Sequence, residues 1–257
     1  MTQTEQPAGE LELVGRITTA SNATFLARLD DVAVVYKPTA GERRLWDFPD
    51  GTLARREVAT YEVSEALGWR VVPRTWLGDG PFGPGMLQVW CEPTGYESAP
   101  AVCLVPTEET PGDGWCHVLD AYDQDGLPVS LLHEDSSPMR RMAVLDVVTN
   151  NADRKGAHVL EMADGHRYGV DHGLTFNTEP RLRTILWGWV GERLVPEEID
   201  GLERLLERLD GDLGTRLAEL IAADEVAAFA ARCERLLRER RFPPPEGDMP
   251  AIPWPPL

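Results

Sequence analysis

The sequence lacks the long apolar runs and the excess of positive charge that would tie it to a membrane or to nucleic acid. No segment approaches the roughly 20 apolar residues of a transmembrane helix, and residues 1–15 lack the apolar core of a signal peptide. Lys and Arg total 25 against 43 Asp and Glu, a formal net charge of -18. Broad attachment to nucleic acid or to an anionic bilayer is therefore not expected. These absences favour a cytoplasmic protein without integral membrane association.

Cysteine is scarce as well, which excludes a disulfide scaffold as the source of stability. The four cysteines have no paired spacing typical of a zinc site, and we expect reduced thiols at Cys91, Cys103, Cys116 and Cys233. The core must therefore come from apolar side chains. Hydrophobic residues make up 42% of the 257 residues, which is enough for one large domain or for two lobes.

The first part of the chain predicts a sheet with one helix. Alternating or β-branched apolar positions predict a hairpin over residues 11–37, with "FLARLDDVAVVYKP" as its second strand, and two more strands over 71–78 and 85–92. Residues 53–69 carry apolar side chains near helical spacing and predict a helix. We assign residues 10–92 to an N-terminal lobe.

The rest of the chain is predicted to be mainly helical. The segment from Pro93 to Pro138 is rich in Pro, Gly and acid, and no regular element is predicted within it. The patterns then predict a helix from Ser137, a hairpin around Asp164, and helices over 195–209, 213–222 and 224–241. We assign residues 93–242 to a C-terminal lobe and the proline-rich residues 243–257 to an extended tail. The predicted fold class is α+β.

A lysine at the end of a predicted strand marks a candidate phosphate site. Lys37 ends "VAVVYKP", where the strand holds its charge at a fixed position for phosphate oxygens. The turn before this strand offers small polar groups from Ser21, Asn22 and Thr24 but lacks the glycines of stronger phosphate loops. Glu57, in the first turn of the predicted helix, could pair with Lys37 as in phosphoryl-transfer folds, although the helix dipole alone favours an acid there.

The centre of the segment "DVVTNNADRKGAHVL", residues 146–160, places two asparagines, an aspartate, two cations and a histidine between apolar runs. Buried polar groups without partners are costly, so this cluster needs water, a metal or a ligand. A predicted hairpin separates Asp153 from Asp171, at the end of "RYGV", and can bring the two carboxylates together. Phosphoryl transfer uses one carboxylate for the attacking hydroxyl and one for a divalent cation. Two unrelated turn aspartates are the alternative.

As a set, these segments resemble the phosphatidylinositol 3-/4-kinase-like superfamily. The resemblance is carried, in order and approximate spacing, by "VYKP", "RREVATYEVSEALGWRVVPRT", "MLQVW", "DVVTNNADRKGAH" and "YGVDHGLTF". The chain is similar to the type II phosphatidylinositol 4-kinases, to secretory-pathway kinases that phosphorylate proteins or sugars and, more closely, to an actinobacterial family of such proteins. That last likeness extends through "LRTILWGW" to "PWPP". The resemblance implies a two-lobed, protein-kinase-like fold with ATP in the cleft.

The resemblance also implies a role for each matched position on the nucleotide side. Lys37 would bind phosphate and Glu57 would pair with it. The backbone of Gln88, Val89 and Trp90 would meet adenine.

On the catalytic side, the resemblance makes Asp153 the catalytic aspartate and Asp171 the metal ligand that corresponds to the aspartate of a "DFG" motif. Five residues after Asp153, where many of these kinases carry an Asn that binds a second metal, this sequence has His158. Imidazole binds Mn²⁺ or Zn²⁺ but is a poor ligand for Mg²⁺. We predict Mg²⁺ or Mn²⁺ with Asp171 and His158 as ligands, and a packing or hydrogen-bonding role for His172.

The predicted function is that of an ATP-dependent phosphotransferase acting on a protein hydroxyl or a small cytosolic metabolite. A lipid acceptor is disfavoured because the net charge is -18 and no basic amphipathic helix is evident. Two alternatives stay open: a nucleotide-binding pseudokinase that regulates a partner, and an enzyme of the same fold that binds the nucleotide in a flipped orientation and transfers AMP.

The segment after the predicted metal loop leaves a further choice open. Arg181, Arg183, Trp187 and Trp189 lie where kinases bind substrate. They could form a substrate surface, or the tryptophans could be ordinary core aromatics.

Overall fold

A five-stranded antiparallel sheet and one helix form the N-terminal part of the computed structural model, which describes residues 9–18, 22–43, 45, 48, 52–94 and 100–257. The strands lie in the order β1, β2, β3, β5, β4, and their bounds are β1 Leu11–Arg16, β2 Phe25–Leu29, β3 Val32–Pro38, β4 Thr75–Gly80 and β5 Gly83–Val89. The helix α1 spans Leu53–Leu67 and packs against β4 and β5. The predicted helix and the two later strands are confirmed.

The second strand of the predicted hairpin is in fact two strands. The chain reverses between β2 and β3 at Asp30, whose φ of 53° lies in the left-handed region. Aspartate tolerates this conformation better than most residues, so "LDDV" makes a tight turn inside an apolar run. The prediction of a single strand was wrong because the turn is only two residues long.

The sheet has two apolar faces because successive side chains alternate. The outer face has its own cluster, formed by Leu11, Ala27, Leu29, Val34, Tyr36, Trp76 and Leu87. On the inner face, Met86 belongs to the larger core that includes α1. Lys37 pairs with Met86 across β3 and β5, so its side chain points to the inner face.

A three-stranded antiparallel sheet occupies the segment for which no element was predicted. The strands β6 (Val102–Pro106), β7 (Trp115–Tyr122) and β8 (Pro128–Glu134) lie in the order β6, β8, β7. The prolines stand at strand ends, where a missing N–H is tolerated, and the glycines stand in the turns. No element was assigned here from the sequence, because short strands and their turns average to a loop-like composition.

The C-terminal part is mainly helical, as predicted. Its elements are α2 Ser137–Thr149, the small hairpin β9 Val159–Glu161 and β10 Arg167–Gly169, α3 Pro196–Leu209, α4 Asp212–Leu220 and α5 Ala223–Glu239. Across the described residues, no helix is both long and apolar enough to cross a membrane. An antiparallel sheet with one helix, followed by a mainly helical part, gives the predicted α+β class and is consistent with a kinase-like two-lobed fold.

One continuous core holds α1 in place between the sheet and the C-terminal helices. It includes Val58 of α1, Leu145 of α2, Leu202 of α3 and Phe229 of α5, all 0% exposed. Residues 243–257 contain no helix or strand, and their backbone carbonyls accept hydrogen bonds from the neighbouring segment 183–187. Packing therefore fixes both the sheet and α2, the elements on either side of any site between them.

Candidate active site

Lys37 joins the two parts of the chain at the end of β3. Its Nζ donates to Oε1 of Glu57 on α1 and to Oδ1 of Asp171 after β10, at 2.7 Å in each case. Glu57 is buried, whereas the side chain of Asp171 is 52% exposed. The predicted Lys37–Glu57 pair is present, and Asp171 shares the same ammonium group.

Two carboxylates around one ammonium fix the charges of this group. Burial alone lowers the pKa of Lys37, but Asp171 and Glu57 outweigh it and raise that pKa above its usual value. Lys37 holds the pKa of Asp171 well below its usual range. The effect comes mainly from their direct contact, because the Asp171 carboxylate is 52% exposed and burial opposes it only in part. Burial raises the pKa of Glu57 to about 7, against the attraction of Lys37. At neutral pH the ammonium is therefore charged and the Asp171 carboxylate is ionised.

Asp171 has an uncommon backbone conformation. Its φ of 61° lies in the left-handed region, which residues other than glycine rarely adopt. The preceding N–H groups are anchored, since Gly169 donates to the carbonyl of Val71 at 2.7 Å and Val170 to that of His158 at 3.0 Å. Backbone strain of this kind persists only where surrounding contacts fix it, and it is concentrated at functional sites.

His158 lies between the two aspartates. Its Nδ1 is 2.8 Å from the carbonyl oxygen of Asp153, and its Nε2 is 3.5 Å from Oδ2 of Asp171. A carbonyl only accepts, so Nδ1 carries the proton and Nε2 is left with a lone pair directed toward the Asp171 carboxylate. Burial lowers the pKa of His158, which favours the neutral ring. The imidazole thus joins the segments that carry Asp153 and Asp171.

Asp153 pairs with a second lysine. Nζ of Lys155 donates to Oδ2 of Asp153 at 3.0 Å, and the N–H of Asp153 donates to Oδ1 of Asn151 at 3.0 Å. Both charged side chains are about one-quarter exposed. The Asp153 carboxylate is therefore held by its own loop and remains partly exposed.

Asp146 and Arg154 form a fully buried ion pair beneath this loop. Both side chains are 0% exposed, and Nη2 of Arg154 donates to Oδ1 of Asp146 at 2.8 Å. Asp146 also accepts from Nδ2 of Asn151 at 2.9 Å and from Oγ1 of Thr184 at 3.3 Å. Removal of one member of a buried pair typically costs about 3–5 kcal/mol, because the other charge is left without a partner. The pair therefore ties the loop to α2 with little freedom.

The backbone positions predicted to meet adenine are already engaged in the sheet. The N–H of Val89 donates to the carbonyl of Arg74 and that of Trp90 to the carbonyl of Ala33, both at 2.9 Å. Gln88 is in the interior of β5, paired with strands on both sides. Neither N–H group of Val89 or Trp90 is free to donate to a base.

An apolar surface lies beside Lys37 on the inner face of the sheet. Leu26 and Val35 pair across β2 and β3, and both are half-buried. Val35 is two residues from Lys37 in the same strand, so their side chains share a face. Residues 91–94, directly after β5, have no regular secondary structure.

The predicted phosphate turn is described only in part. Ser21 lies outside the described residues. Thr24 is buried, and its Oγ1 donates to the carbonyl of Asn22 at 3.2 Å. Oδ1 of Asn22 accepts from the N–H of Arg43 at 3.1 Å. Both polar side chains therefore make contacts within or next to the turn.

The structure partly decides between a substrate surface and core aromatics for the segment after the predicted metal loop. Trp189 is 1% exposed, packs on His133 and donates from Nε1 to Oδ1 of Asp135 at 2.9 Å, so it is a core residue. Trp187 is half-buried and donates from Nε1 to the carbonyl of Ala251 at 2.9 Å. Arg183 also donates to carbonyls of the tail. These side chains mainly hold the tail and the core.

No family model matches the chain. Protein Rv2133c of Mycobacterium tuberculosis is 48% identical over an alignment of 258 positions, gaps included. The alignment covers 96% of this chain and 92% of that protein. The chain belongs to the Rv2133c family. Identity at this level over nearly the full length of both chains means that the two proteins share one fold.

Among solved structures, the crystal structure of the Helicobacter pylori proinflammatory kinase CtkA is similar at 10% sequence identity with a TM-score of 0.44. The match covers 91% of this chain and 93% of that one. This weak similarity adds nothing to the side-chain geometry of the Rv2133c-family chain described above.

Sequence reasoning missed Lys155, Asp146 and Arg154, although two of them left a signal. The sequence contains only two lysines, Lys37 and Lys155, and each pairs with a predicted site carboxylate. Asp146 interrupts the apolar run "MAVLDVV", where an unpaired charge is rarely tolerated. No sequence signal separated Arg154 from the other arginines.

Proposed function

We propose that this chain is an ATP-dependent phosphotransferase of the kinase-like, two-lobed type, within the phosphatidylinositol 3-/4-kinase-like superfamily. The observation that carries the proposal is the Lys37 ammonium shared by Glu57 and Asp171. A lysine on a strand, a glutamate on the next helix and an aspartate after a later strand are the groups that kinases place around nucleotide phosphates. The order of the sequence motifs supports the superfamily assignment.

The nucleotide is proposed to lie against the inner face of the sheet. Leu26 and Val35 supply apolar area for the base, and Lys37 supplies the phosphate contact. The N–H groups of Val89 and Trp90 have sheet partners, that of Thr94 donates to the carbonyl of Glu161, and Pro93 has no N–H. The backbone of Cys91 and Glu92 is therefore proposed for the polar edge of the base.

Asp171 and His158 would hold Mg²⁺ or Mn²⁺ together with the nucleotide phosphates. Oδ2 of Asp171 and the Nε2 lone pair of His158 are 3.5 Å apart, which suits two ligands of one cation. Among the described residues, no cluster of three or more His, Cys, Asp or Glu side chains could hold a metal without such help. The cation would neutralise charge that develops on the transferred phosphoryl group.

Asp153 is proposed to accept the proton of the acceptor hydroxyl as that oxygen attacks the γ-phosphorus of ATP and ADP leaves. Its position on a fixed loop, anchored by Asn151 and by the ring of His158, suits a group that must orient an acceptor. Lys155, 3.0 Å from Asp153, adds a cation next to the place where the phosphoryl group is transferred. A protein hydroxyl or a small metabolite is the proposed acceptor, because a net charge of -18 opposes docking on anionic lipid.

Labelled ATP tests this function. The protein is incubated with Mg²⁺ or Mn²⁺, a cell extract as acceptor, and ATP labelled on either the α- or the γ-phosphate. Transfer of the γ-label alone, lost in Asp153→Asn, is the expected result. Transfer of the α-label would show that AMP is moved instead. Nucleotide binding without transfer of either label would contradict the phosphotransferase assignment and favour a pseudokinase.

Lys37→Met is expected to weaken ATP binding or turnover by about tenfold or more, because a charged contact contributes about 1.5–3 kcal/mol. ATP affinity is measured by calorimetry, and folding by circular dichroism. Arg208→Met is the control and should leave affinity unchanged. It removes an exposed cation of α3 that pairs with Asp212 at the start of α4. Wild-type affinity and turnover in a folded Lys37→Met protein would contradict the role of Lys37.

His158→Asn is expected to raise the response to Mg²⁺ relative to Mn²⁺. A neutral nitrogen ligand next to Asp171 favours the softer cation, whereas the asparagine oxygen suits Mg²⁺. Nucleotide affinity is measured with each cation in both proteins. His166→Asn, at a half-buried histidine after the β9–β10 turn that contacts the carbonyl of Arg70, is the matched control. A Mg²⁺ to Mn²⁺ ratio unaltered by His158→Asn would remove His158 from the metal site.

A further inference from the structure

One buried guanidinium contacts both segments that carry the proposed metal ligands, His158 and Asp171. Nε and Nη2 of Arg154 donate to the carboxylate of Asp146 on α2. Nη1 lies 3.2 Å from the carbonyl oxygen of His158 and 3.4 Å from that of Val170. Nη2 also donates to Nε2 of His172 at 2.6 Å. The side chain is 0% exposed, so none of these contacts competes with solvent.

The contacts of Arg154 flank Asp171 on both sides. Val170 precedes Asp171 and His172 follows it, and the same guanidinium donates to both. Asp171 itself has the left-handed φ of 61°. Aspartate can adopt this conformation, as Asp30 does in a turn, and at Asp171 the contacts of Arg154 hold the residues on either side of it.

His172 is committed to this contact. Because Arg154 only donates, Nε2 of His172 is the acceptor and Nδ1 carries the proton. That Nδ1 is buried and has no hydrogen-bond partner among the described residues. The Nδ1–H of His172 is thus left unsatisfied while Nε2 accepts from Arg154. Because this contact uses the lone pair of Nε2, His172 has none left for a cation.

The arrangement requires arginine. The guanidinium has five N–H groups in a planar fork, and these meet Asp146, the two carbonyls and His172 with none to spare. A lysine has three donors on a single nitrogen and cannot reach acceptors on opposite sides of the fork.

We propose that Arg154, oriented by Asp146, is the positioning residue that sets the separation of His158 and Asp171, and with it the affinity of that pair for a divalent cation. The positioning of His158 and Asp171 is inferred from the contacts of Arg154. The effect on cation affinity, the cation part of the proposal, rests on the proposed function. Groups that orient metal ligands in this way typically change metal affinity by about 10–100-fold when altered.

Arg154→Lys tests both parts. A crystal structure of the variant reports the Asp171 φ and the distance from His158 Nε2 to Asp171 Oδ2, with neither metal nor nucleotide needed. We expect φ to leave the left-handed region and the distance to grow beyond 3.5 Å. In parallel, ATP affinity is measured with Mn²⁺ and with a chelator. The enhancement by Mn²⁺ should fall about tenfold while the metal-free affinity stays within about twofold.

Two further variants separate positioning from general stability. His172→Phe keeps the volume of the ring and the Asp146–Arg154 pair but removes the acceptor, so a smaller change in the same direction is expected even if Arg154→Lys fails to fold. Arg140→Lys alters an arginine of α2 that is also largely buried and is paired with Glu198 away from Asp171, and it should leave the Mn²⁺ enhancement unchanged.

Unchanged φ and separation in both Arg154→Lys and His172→Phe would overturn the proposal. Altered geometry with an unaltered Mn²⁺ enhancement would overturn its cation part. A wild-type protein whose ATP affinity does not depend on a divalent cation would overturn the proposed metal site instead, and the crystal structures would still decide the role of Arg154.

Discussion

Asp171→Ala is expected to abolish the dependence of nucleotide affinity on a divalent cation. The Asp171 carboxylate is ionised at neutral pH, since Lys37 holds its pKa well below the usual range, and its Oδ2 lies 3.5 Å from Nε2 of His158. Without it, a cation loses its charged protein ligand. Thermal-shift titration with ATP, in the presence of Mg²⁺, Mn²⁺ or a chelator, measures the effect.

The Asp171→Ala protein should lose about 1 kcal/mol of stability, because alanine tolerates the left-handed φ of 61° less well than aspartate. The carboxylate itself is 52% exposed and Lys37 keeps Glu57 as a partner, so the fold should persist. Asp164→Ala, in the exposed turn between β9 and β10, is the matched control and should retain the full cation response. Equal shifts with each cation in wild type and Asp171→Ala would refute the assignment of Asp171 as a metal ligand.

Asp153→Ala is expected to abolish transfer while nucleotide and metal still bind. A general base that orients and deprotonates the acceptor contributes about 10²–10⁴-fold to the rate. In the described part of the chain, Asp153 pairs with Lys155 and its N–H donates to Asn151, and neither contact involves Lys37 or Asp171, so its loss leaves the phosphate and cation contacts in place. Transfer of the γ-label, measured with the same extract, and ATP affinity separate the two effects.

Asp123→Ala, in the exposed turn between β7 and β8, provides the comparison for Asp153→Ala and should transfer phosphate at the wild-type rate. Transfer retained by Asp153→Ala would exclude it as the catalytic base. A loss of ATP binding in parallel with activity would show that Asp153 acts on the nucleotide side of the cleft instead.

Local patterns predicted most of the secondary structure because they depend on neighbours in sequence. The helical spacing of α1 and α3 to α5, and the apolar alternation of β4 and β5, follow from side chains only a few residues apart. The same local reasoning failed for β6 to β8, whose strands are short and separated by Gly and Pro. Those strands are stabilised by pairing with each other and by packing against the core, which composition does not record.

Within the candidate site, the sequence indicated which chemical groups are present but not which of them contact each other. A lysine at a strand end and an aspartate after "RYGV" indicated phosphate and metal chemistry from their chemical nature alone. The sequence placed adenine contacts at Val89 and Trp90, but hydrogen bonding in the sheet occupies both N–H groups. Which donors are free is decided by strand pairing across the sheet.

The sequence by itself determined the α+β class, the Lys37–Glu57 pair, and the carboxylates and histidine of the candidate site. Only the tertiary structure decided that Lys37 also holds Asp171, 134 residues away, that Asp171 adopts a left-handed conformation, and that Arg154 contacts both of its neighbours. The physical reason is one of range. Propensity and periodicity act over a few residues, whereas a buried charge takes its partners from whatever segments the core brings against it.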